Sequence, residues 1–166
     1  MTSKQKPLSR EEEAFLDSHS KVAYVAFGQY AVPLKHEIEL LMSSLLDQVE
    51  RKQLDGIIWA GLKEQVAKYE SQSPNTVWKF TTTASTFDLP APLFDNNLSQ
   101  DVFMPSWANQ FSVLGHPSTA LFVSHGGATS ANEATFHGVP LLVHPYIGDQ
   151  RLVGRALSVA GVARVH

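Results

Sequence analysis

The chain has 166 residues, 43% of them hydrophobic and 17% charged, which suits one globular domain and excludes a disordered chain. The formal net charge is −3 and Lys and Arg form no long run, so nucleic-acid binding through a basic face is not expected. There is no Cys, no signal-peptide pattern and no apolar run near the roughly 20 residues that cross a bilayer. We expect a cytoplasmic chain without a transmembrane segment, and we leave membrane association of a parent protein open.

The first half of the chain alternates predicted helices and strands. In the polar leader of residues 1–20, Ser9 and Glu12 form a capping-box pattern that predicts a short helix. A longer helix is predicted over 33–53, where apolar residues recur at helical spacing. Its apolar positions are Leu34, Ile38, Leu41, Leu45 and Val49. The other predicted elements are strands at 21–28, 56–60 and 76–80 and a helix at 62–70.

The second half begins with residues 81–100, a polar segment with two Pro that we predict to be a long loop. The elements predicted after it are a strand in 101–107, a short helix in 108–118, a strand at 120–127, a helix at 128–138, a strand at 139–145, a helix at 149–160 and a last strand in 161–166. This alternation predicts an α/β fold, a Rossmann-like and mainly parallel sheet with helices on both faces.

One edge of that sheet is the expected ligand site, because ligands of open α/β sheets bind outside the carboxyl ends of the strands. The loops at this edge follow Phe27, Phe103 and Val123. The third loop is the most informative, since Gly126 and Gly127 allow close backbone approach just before a helix N-terminus.

The side chains around this third loop suit a phosphate or diphosphate. His125, Thr129 and Ser130 add hydrogen-bond donors to the free N–H groups of the helix N-terminus. About one helical turn further on, the carboxylate of Glu133 can accept hydrogen bonds from a sugar diol.

Four further residues extend the predicted site on either side of this loop. Asp149 and Gln150 open the next strand–helix junction and can bind several sugar hydroxyls. Trp107 and Gln110 precede the loop, where an indole can stack on a flat base while an amide reads its edge.

Each of these residues also has a structural explanation. The glycine pair can be a tight turn, His125 a structural donor, Asp149 a helix N-cap, Trp107 a packing residue and Glu133 part of a solvated helix face. The functional interpretation is favoured because all the positions fall at one edge of one predicted sheet.

The segment from Trp107 to Gln150, WANQFSVLGHPSTALFVSHGGATSANEATFHGVPLLVHPYIGDQ, resembles the signature box of the UDP-dependent glycosyltransferases (the UDP-glucuronosyl and UDP-glucosyl transferase family) over 44 residues. The upstream segment LDSHSKVAYVAFGQYA resembles the first strand and loop of the family's C-terminal, donor-binding domain. This resemblance implies the C-terminal half of a GT-B fold, with residues 1–20 as an interdomain linker and 21–166 as a nucleotide-sugar-binding domain truncated before the final helices.

The resemblance also implies a role for each motif residue, with UDP-sugar, in the first place UDP-glucose, as donor substrate and with neither metal nor organic cofactor. Helix-end N–H groups and His125 would take over the neutralisation of charge. The implied assignments are Trp107 on uracil, Gln110 near base and ribose, Glu133 on the ribose hydroxyls, His125, Gly127, Thr129 and Ser130 at the diphosphate, Asp149 and Gln150 on the hexose, and Gly28 and Gln29 as a loop facing the phosphates.

Two departures distinguish this chain from many plant members of the family. Plant sequences often have Cys-Gly-Trp-Asn where this chain has Gly126 to Thr129, and Ser where it has Gln29. With these residues the motif of this chain is closer to that of fungal or animal members than to that of plant members.

In the family, the base that deprotonates the acceptor hydroxyl is a His in the other domain, so no catalytic residue is expected here. The other His residues, none with a convincing acid partner in sequence, are His19, His36, His116, His137, His144 and His166. The resemblance therefore implies a fragment that binds the donor of an inverting hexosyltransferase acting on a hydroxyl of a lipid, sterol or small aglycone, without turnover of its own.

Three other interpretations stay open at this stage. The chain can be the donor-binding subunit of a two-chain GlcNAc transferase, which a copurifying partner would indicate. It can be a non-catalytic module that binds nucleotide sugar as a sensor or only binds protein, which failure to bind UDP would favour. An unrelated α/β domain is the third, and the motif spacing argues against it.

Overall fold

The computed structural model describes residues 6–29, 31–73, 76–90 and 100–166. Its elements in chain order are α1 (Arg10–Ser18), β1 (Val22–Ala26), α2 (Lys35–Glu50), β2 (Gly56–Trp59), α3 (Leu62–Gln72), β3 (Val77–Thr81), β4 (Thr86–Pro90), β5 (Val102–Phe103), α4 (Gln110–Leu114), β6 (Thr119–Ser124), α5 (Ala128–His137), β7 (Leu141–Val143), α6 (Gln150–Val159) and β8 (Ala163–Val165). Among these described residues, no helix is both long and apolar enough to cross a membrane.

Six strands form one parallel sheet in the order β5-β2-β1-β6-β7-β8. The central strand β1 is buried along its whole length, as expected of a strand covered on both faces. The predicted α/β fold, a parallel sheet with helices, is confirmed.

Two apolar layers cover the sheet, because successive side chains of each strand point to opposite faces. On one face Val25 and Trp59 pack with Ile38 of α2 and Val66 of α3. On the other face the layer is built from α1, α4, α5 and α6 over the remaining strand residues. Its members include Leu16, Tyr24, Val113, Phe122, Ala134 and Leu157.

The leader packs on the domain through α1. The predicted capping box is present, since Glu12 N–H donates to Ser9 Oγ at 3.1 Å and Ser9 N–H to Glu12 Oε2 at 2.6 Å. Glu12 is only 2% exposed, and its Oε1 accepts a hydrogen bond from Asn109 N–H at 3.0 Å. The leader thus supports the segment that carries Trp107, while a domain boundary at residue 20 stays a prediction.

The prediction of an uninterrupted loop over 81–100 is wrong in its first half. Residues 86–90 form β4, which pairs antiparallel with β3 in a hairpin outside the main sheet. Residues 91–99 lie outside the described residues.

Side chains of α2 hold this hairpin through backbone N–H groups in and just beyond β3. Lys79 N–H donates to Glu39 at 2.8 Å, and Thr81 N–H to Ser43 at 2.9 Å. Two residues beyond Thr81, the next N–H of this row donates to Asp47 at 2.8 Å. The accepting side chains are four residues apart on α2 and therefore lie in one row along the helix.

Candidate functional site

The carboxyl ends of β1 and β6 lie side by side at the centre of the sheet, with Ala26 opposite Ser124. From this point β2 and β5 extend the sheet in one direction, and β7 and β8 in the other. Such a reversal of strand order leaves a crevice at the carboxyl edge, where α/β proteins bind ligands. The predicted loops after Phe27 and Val123 are the two that meet there.

A cleft of about 930 Å³ opens at this edge. Six predicted site residues line it, namely Gly28, Gln29, Trp107, Gln110, Ser130 and Glu133. The other five predicted residues, His125, Gly127, Thr129, Asp149 and Gln150, are not part of its lining.

Trp107 projects from the loop after β5 and is 68% exposed. So large an exposed indole excludes the structural explanation that this residue fills the core. At the wall of a cleft, its face is available for stacking on a flat ring.

Gln110, Ser130 and Glu133 form one hydrogen-bonded group. Gln110 begins α4, and its Nε2 donates to Ser130 Oγ at 3.1 Å and to Glu133 Oε2 at 2.7 Å. These contacts join α4 to the first turns of α5 and fix the Glu133 carboxylate. Within the described residues no donor reaches Glu133 Oε1, which leaves this oxygen for a ligand.

The N-terminus of α5 offers N–H groups without an acceptor in the described part of the chain, since its first intrahelical bond is donated by Ala131 to the carbonyl of Gly127. Gly127 is the N-cap and brings no capping side chain. Thr129, in the first turn, is exposed. This helix end therefore has both backbone donors and a hydroxyl free for an anion.

The imidazole of His125 lies against two glycine backbones beside this helix end. A Cβ on Gly28 would lie 3.2 Å from His125 Cε1, and one on Gly127 only 2.5 Å from Nε2. Gly28 also has φ +72°, a conformation that favours glycine. The close approach of the ring to the backbone thus favours glycine at both positions.

The imidazole of His125 is half-buried. Burial lowers the pKa of His125 below 6.5, an effect that the backbone of Ala26 opposes only in part. Its buried Nδ1 has no partner in hydrogen-bond geometry among the described residues. Burial thus disfavours the charged form of the ring in the unliganded state, and the expected role of His125 at the diphosphate stays a prediction.

The structure separates Asp149 from Gln150. Asp149 stands at the N-cap of α6 but makes no capping bond, and its exposed carboxylate is free of partners among the described residues. Gln150 is buried, and its Oε1 accepts N–H bonds from Tyr146 at 2.8 Å and Ile147 at 3.0 Å. Gln150 therefore closes the loop after β7, a role that the sequence pattern did not predict.

Some of the His residues outside the predicted site do have acidic partners, contrary to the expectation from sequence. His144 Nε2 lies 3.1 Å from Glu37 Oε1, and His116 Nε2 lies 3.3 Å from Asp17. His19 lies 3.6 Å from Asp101. These partners are 82 or more residues away in sequence, so no local pattern could have shown them. His137 instead packs against the rings of Phe111 and Phe136, as expected for a packing residue.

One wall of the cleft was missed entirely by sequence reasoning. The first two turns of α3 contribute Glu64, Gln65 and Lys68, and the leader contributes Lys6. None belongs to a recognisable motif. Within the described part of the chain, no three His, Asp or Glu side chains are grouped closely enough to hold a metal ion.

Comparison with known proteins identifies the family. The sequence model that describes the UDP-glucuronosyl and UDP-glucosyl transferase family matches residues 1–164 of this chain. UDP-glycosyltransferase stmC of Aspergillus ustus is 34% identical over 148 residues, which cover 89% of this chain and 27% of that protein. UDP-glucuronosyltransferase 2A2 of Homo sapiens is 31% identical over 147 residues, which cover 87% of this chain and 21% of that protein. The chain thus spans about a quarter of the length of these relatives.

The fold agrees with the sequence comparison. A crystal structure of UDP-glucose: anthocyanidin 3-O-glucosyltransferase in complex with UDP superimposes with a TM-score of 0.71 and 25% identity. The match covers 96% of this chain and 31% of that one, and it confirms the predicted likeness to part of a GT-B glycosyltransferase. The chain therefore belongs to the UDP-glucuronosyl and UDP-glucosyl transferase family.

Proposed function

We propose that this chain is the UDP-sugar-binding domain of an inverting glycosyltransferase, which transfers a hexose, glucose by preference, to a hydroxyl of a lipid, sterol or small aglycone. The observation that carries the proposal is the cleft at the strand-order reversal, where Trp107 is exposed beside the hydrogen-bonded group of Gln110, Ser130 and Glu133. The similar glucosyltransferase was crystallised with UDP, which supports a uridine nucleotide as the ligand.

The nucleoside occupies the cleft. Its base stacks on the exposed indole of Trp107, and its ribose hydroxyls donate to Glu133, whose Oε1 has no donor within the described residues. The bond from Gln110 to Glu133 Oε2 holds the carboxylate in place before the ligand arrives, so little side-chain entropy is lost on binding.

The diphosphate lies against the N-terminus of α5. Its negative charge is met by unpaired N–H groups of the first turn, by the exposed hydroxyl of Thr129 and by an N–H of His125. The loop of Gly28 and Gln29 faces it from the end of β1. A bound anion also raises the pKa of His125, so the ring can take up a proton on binding. Neither a metal nor an organic cofactor is part of this proposal.

The hexose is held by the loop between β7 and α6. The partner-free carboxylate of Asp149 accepts hydrogen bonds from the sugar hydroxyls. Gln150 contributes only through its amide nitrogen, because its oxygen is already bonded to the loop backbone.

In the proposed reaction, the acceptor oxygen attacks the anomeric carbon, UDP leaves with the bonding electron pair, configuration inverts, and the acceptor proton passes to a base. No residue of this chain is assigned as that base, which is proposed to belong to another domain or chain. This chain alone is therefore proposed to bind the donor without turnover. We also propose that it acts in the cytoplasm.

Calorimetric titration of the chain with UDP, UDP-glucose and ADP, without metal, tests the proposal. Binding of both uridine ligands in preference to ADP is the expected result. Absence of uridine binding would contradict it and favour a module that has lost its donor.

A further inference from the structure

A hydrogen bond between two side chains joins two loops at the carboxyl edge of the sheet. His144 stands directly after β7, and its Nε2 lies 3.1 Å from Oε1 of Glu37, a residue in the first turn of α2. A carboxylate can only accept, so the imidazole is the donor. The side chains of His144 and Glu37 are 25% and 24% exposed, which places the pair at the surface of this edge and not in the core.

The carboxylate of Glu37 also holds the loop that follows β1, here called the β1 loop. Leu34 N–H, at the far end of this loop, donates to Glu37 Oε2 at 2.6 Å. One residue earlier, the carbonyl of Pro33 accepts a hydrogen bond from the hydroxyl of Tyr69 at 2.7 Å. The β1 loop is therefore fixed at its far end by α2 and α3 together.

His144 begins the loop between β7 and α6, here called the β7 loop, which carries the proposed hexose contact Asp149. Two backbone N–H groups of this loop donate to Gln150 Oε1, at 2.8 and 3.0 Å. These bonds lie within the loop, so they fix its shape but not its distance from the β1 loop. The bond from His144 to Glu37 crosses from one loop to the other and therefore acts on that distance.

We propose that Glu37 and His144 are positioning residues for the hexose of the donor, an inference that rests on the proposed function. Diphosphate and hexose are covalently joined, so the groups that hold them must lie at one fixed separation. The β1 loop faces the diphosphate and Asp149 the hexose, and the pair holds these two parts of the site relative to each other. Neither side chain of the pair touches the donor in this assignment.

Removal of the imidazole donor should release only one side of the site. The hydrogen bonds of the Leu34 N–H and of the Pro33 carbonyl remain, so the β1 loop stays in place. The β7 loop loses its bond to α2, and Asp149 moves with it. UDP, which has no hexose, should therefore bind nearly as before, while UDP-glucose should lose part of its affinity.

Two substitutions at position 144 separate the hydrogen bond from the packing of the ring. The imidazole lies edge-on to the rings of Phe27 and Tyr146, with centroids 6.4 and 5.0 Å away. His144→Phe keeps an aromatic ring there but removes the donor, whereas His144→Gln keeps an N–H donor without the ring. Both variants and wild type, as the full 166-residue chain, are titrated calorimetrically with UDP and with UDP-glucose.

The expected result is a loss that depends on the ligand and on the hydrogen bond. His144→Phe should weaken UDP-glucose binding by about three- to thirty-fold and change the Kd of UDP by less than about twofold. His144→Gln should retain most of the affinity for UDP-glucose, which a role in packing alone would not allow. In a Glu37→Ala background, His144→Phe should cause no further loss, because the bond is already absent.

His166→Phe is the matched control. The His166 ring centroid lies 5.2 Å from that of His144, and His166 is exposed without an acidic partner among the described residues. The same substitution there should leave both affinities unchanged. Urea unfolding checks that each variant is folded, and His144→Leu replaces the Phe variant if that variant does not fold.

Equal weakening of UDP and UDP-glucose binding by His144→Phe would overturn the positioning role, and so would an unchanged affinity for UDP-glucose. Equal losses in the Phe and Gln variants, or a selective loss of UDP-glucose binding in His166→Phe, would overturn it as well, because ring packing would then explain the effect. Failure of wild type to bind UDP would contradict the proposed function itself, so the two failures are distinguishable.

Discussion

Substitution of Gly127 by Ala tests the diphosphate site through a single methyl group. Gly127 has φ −62° and ψ 141°, which Ala adopts without strain, so the substitution acts only through the steric contacts of the added methyl group. The new Cβ would lie 2.5 Å from His125 Nε2, against 3.4 Å for the start of ordinary contact, an overlap of 3.4 − 2.5 = 0.9 Å. The imidazole must therefore move away from the helix N-terminus.

The expected cost falls on binding more than on folding. Because the ring is the end of a side chain, it can rotate away at about 0.5–1.5 kcal/mol. If the displaced ring loses a hydrogen bond to a charged phosphate, UDP binding weakens by about 1.5–3 kcal/mol, or roughly 10- to 150-fold in Kd.

Gly138→Ala is the matched control, since Gly138 has φ +70° and a Cβ there would meet nothing within 4 Å. It should lower the free energy of unfolding by about 1–2 kcal/mol through backbone strain and leave UDP binding unchanged. Calorimetric titration with UDP and urea unfolding of both variants measure the two quantities. The reasoning is refuted if Gly127→Ala binds UDP as tightly as Gly138→Ala does.

Three further outcomes are expected. Trp107→Ala should weaken UDP binding by about 1–3 kcal/mol in a calorimetric titration, and Trp107→Phe by less, while equal affinities would remove the stacking role. Asp149→Ala should weaken UDP-glucose binding far more than UDP binding, and equal losses would contradict a contact with the hexose. The ratio of wild-type to His125→Ala affinity for UDP should rise as the pH falls from about 8 to about 5.5, because the bound anion favours the protonated ring, whereas a flat ratio would contradict contact with the diphosphate. Folding of the free chain depends on pH in the opposite direction, because burial lowers the pKa of His125 from 6.5. The stability that the neutral ring contributes is therefore present above pH 6.5 and is lost as the pH falls below it.

Much of the fold was predictable because local signals and tertiary structure agree. The strands of the central sheet are short apolar runs, and the helix of residues 128–137 ends where Gly138 adopts φ +70°, as its sequence indicated. The hairpin strand at 86–90 was missed because its segment is polar at the start and ends in Pro. It forms by pairing with β3, which α2 holds in place from another part of the chain.

For the candidate site, the sequence predicted which loops meet but not which side chains bond to one another. Parallel strands bring their carboxyl ends together, so the positions of Trp107 and Glu133 at one edge followed from the pattern. The choice of hydrogen-bond partners did not follow. Gln150 accepts hydrogen bonds from its own loop, while the buried Oε1 of Gln65, a residue of no motif, has no hydrogen-bond partner among the described residues. An amide bonds to whatever folding brings near it, and sequence spacing does not encode that choice.

The row of α2 side chains beside β3 has a consequence for self-association. A strand with an open edge exposes N–H groups that can recruit a strand from another molecule. Here Glu39, Ser43 and Asp47 accept hydrogen bonds from three such groups in and beyond β3. A helix thus stands where a third strand would add. The helix thereby blocks, on that side of the hairpin, the edge-to-edge strand pairing that begins aggregation. It also supports a two-stranded sheet that would be only marginally stable by itself.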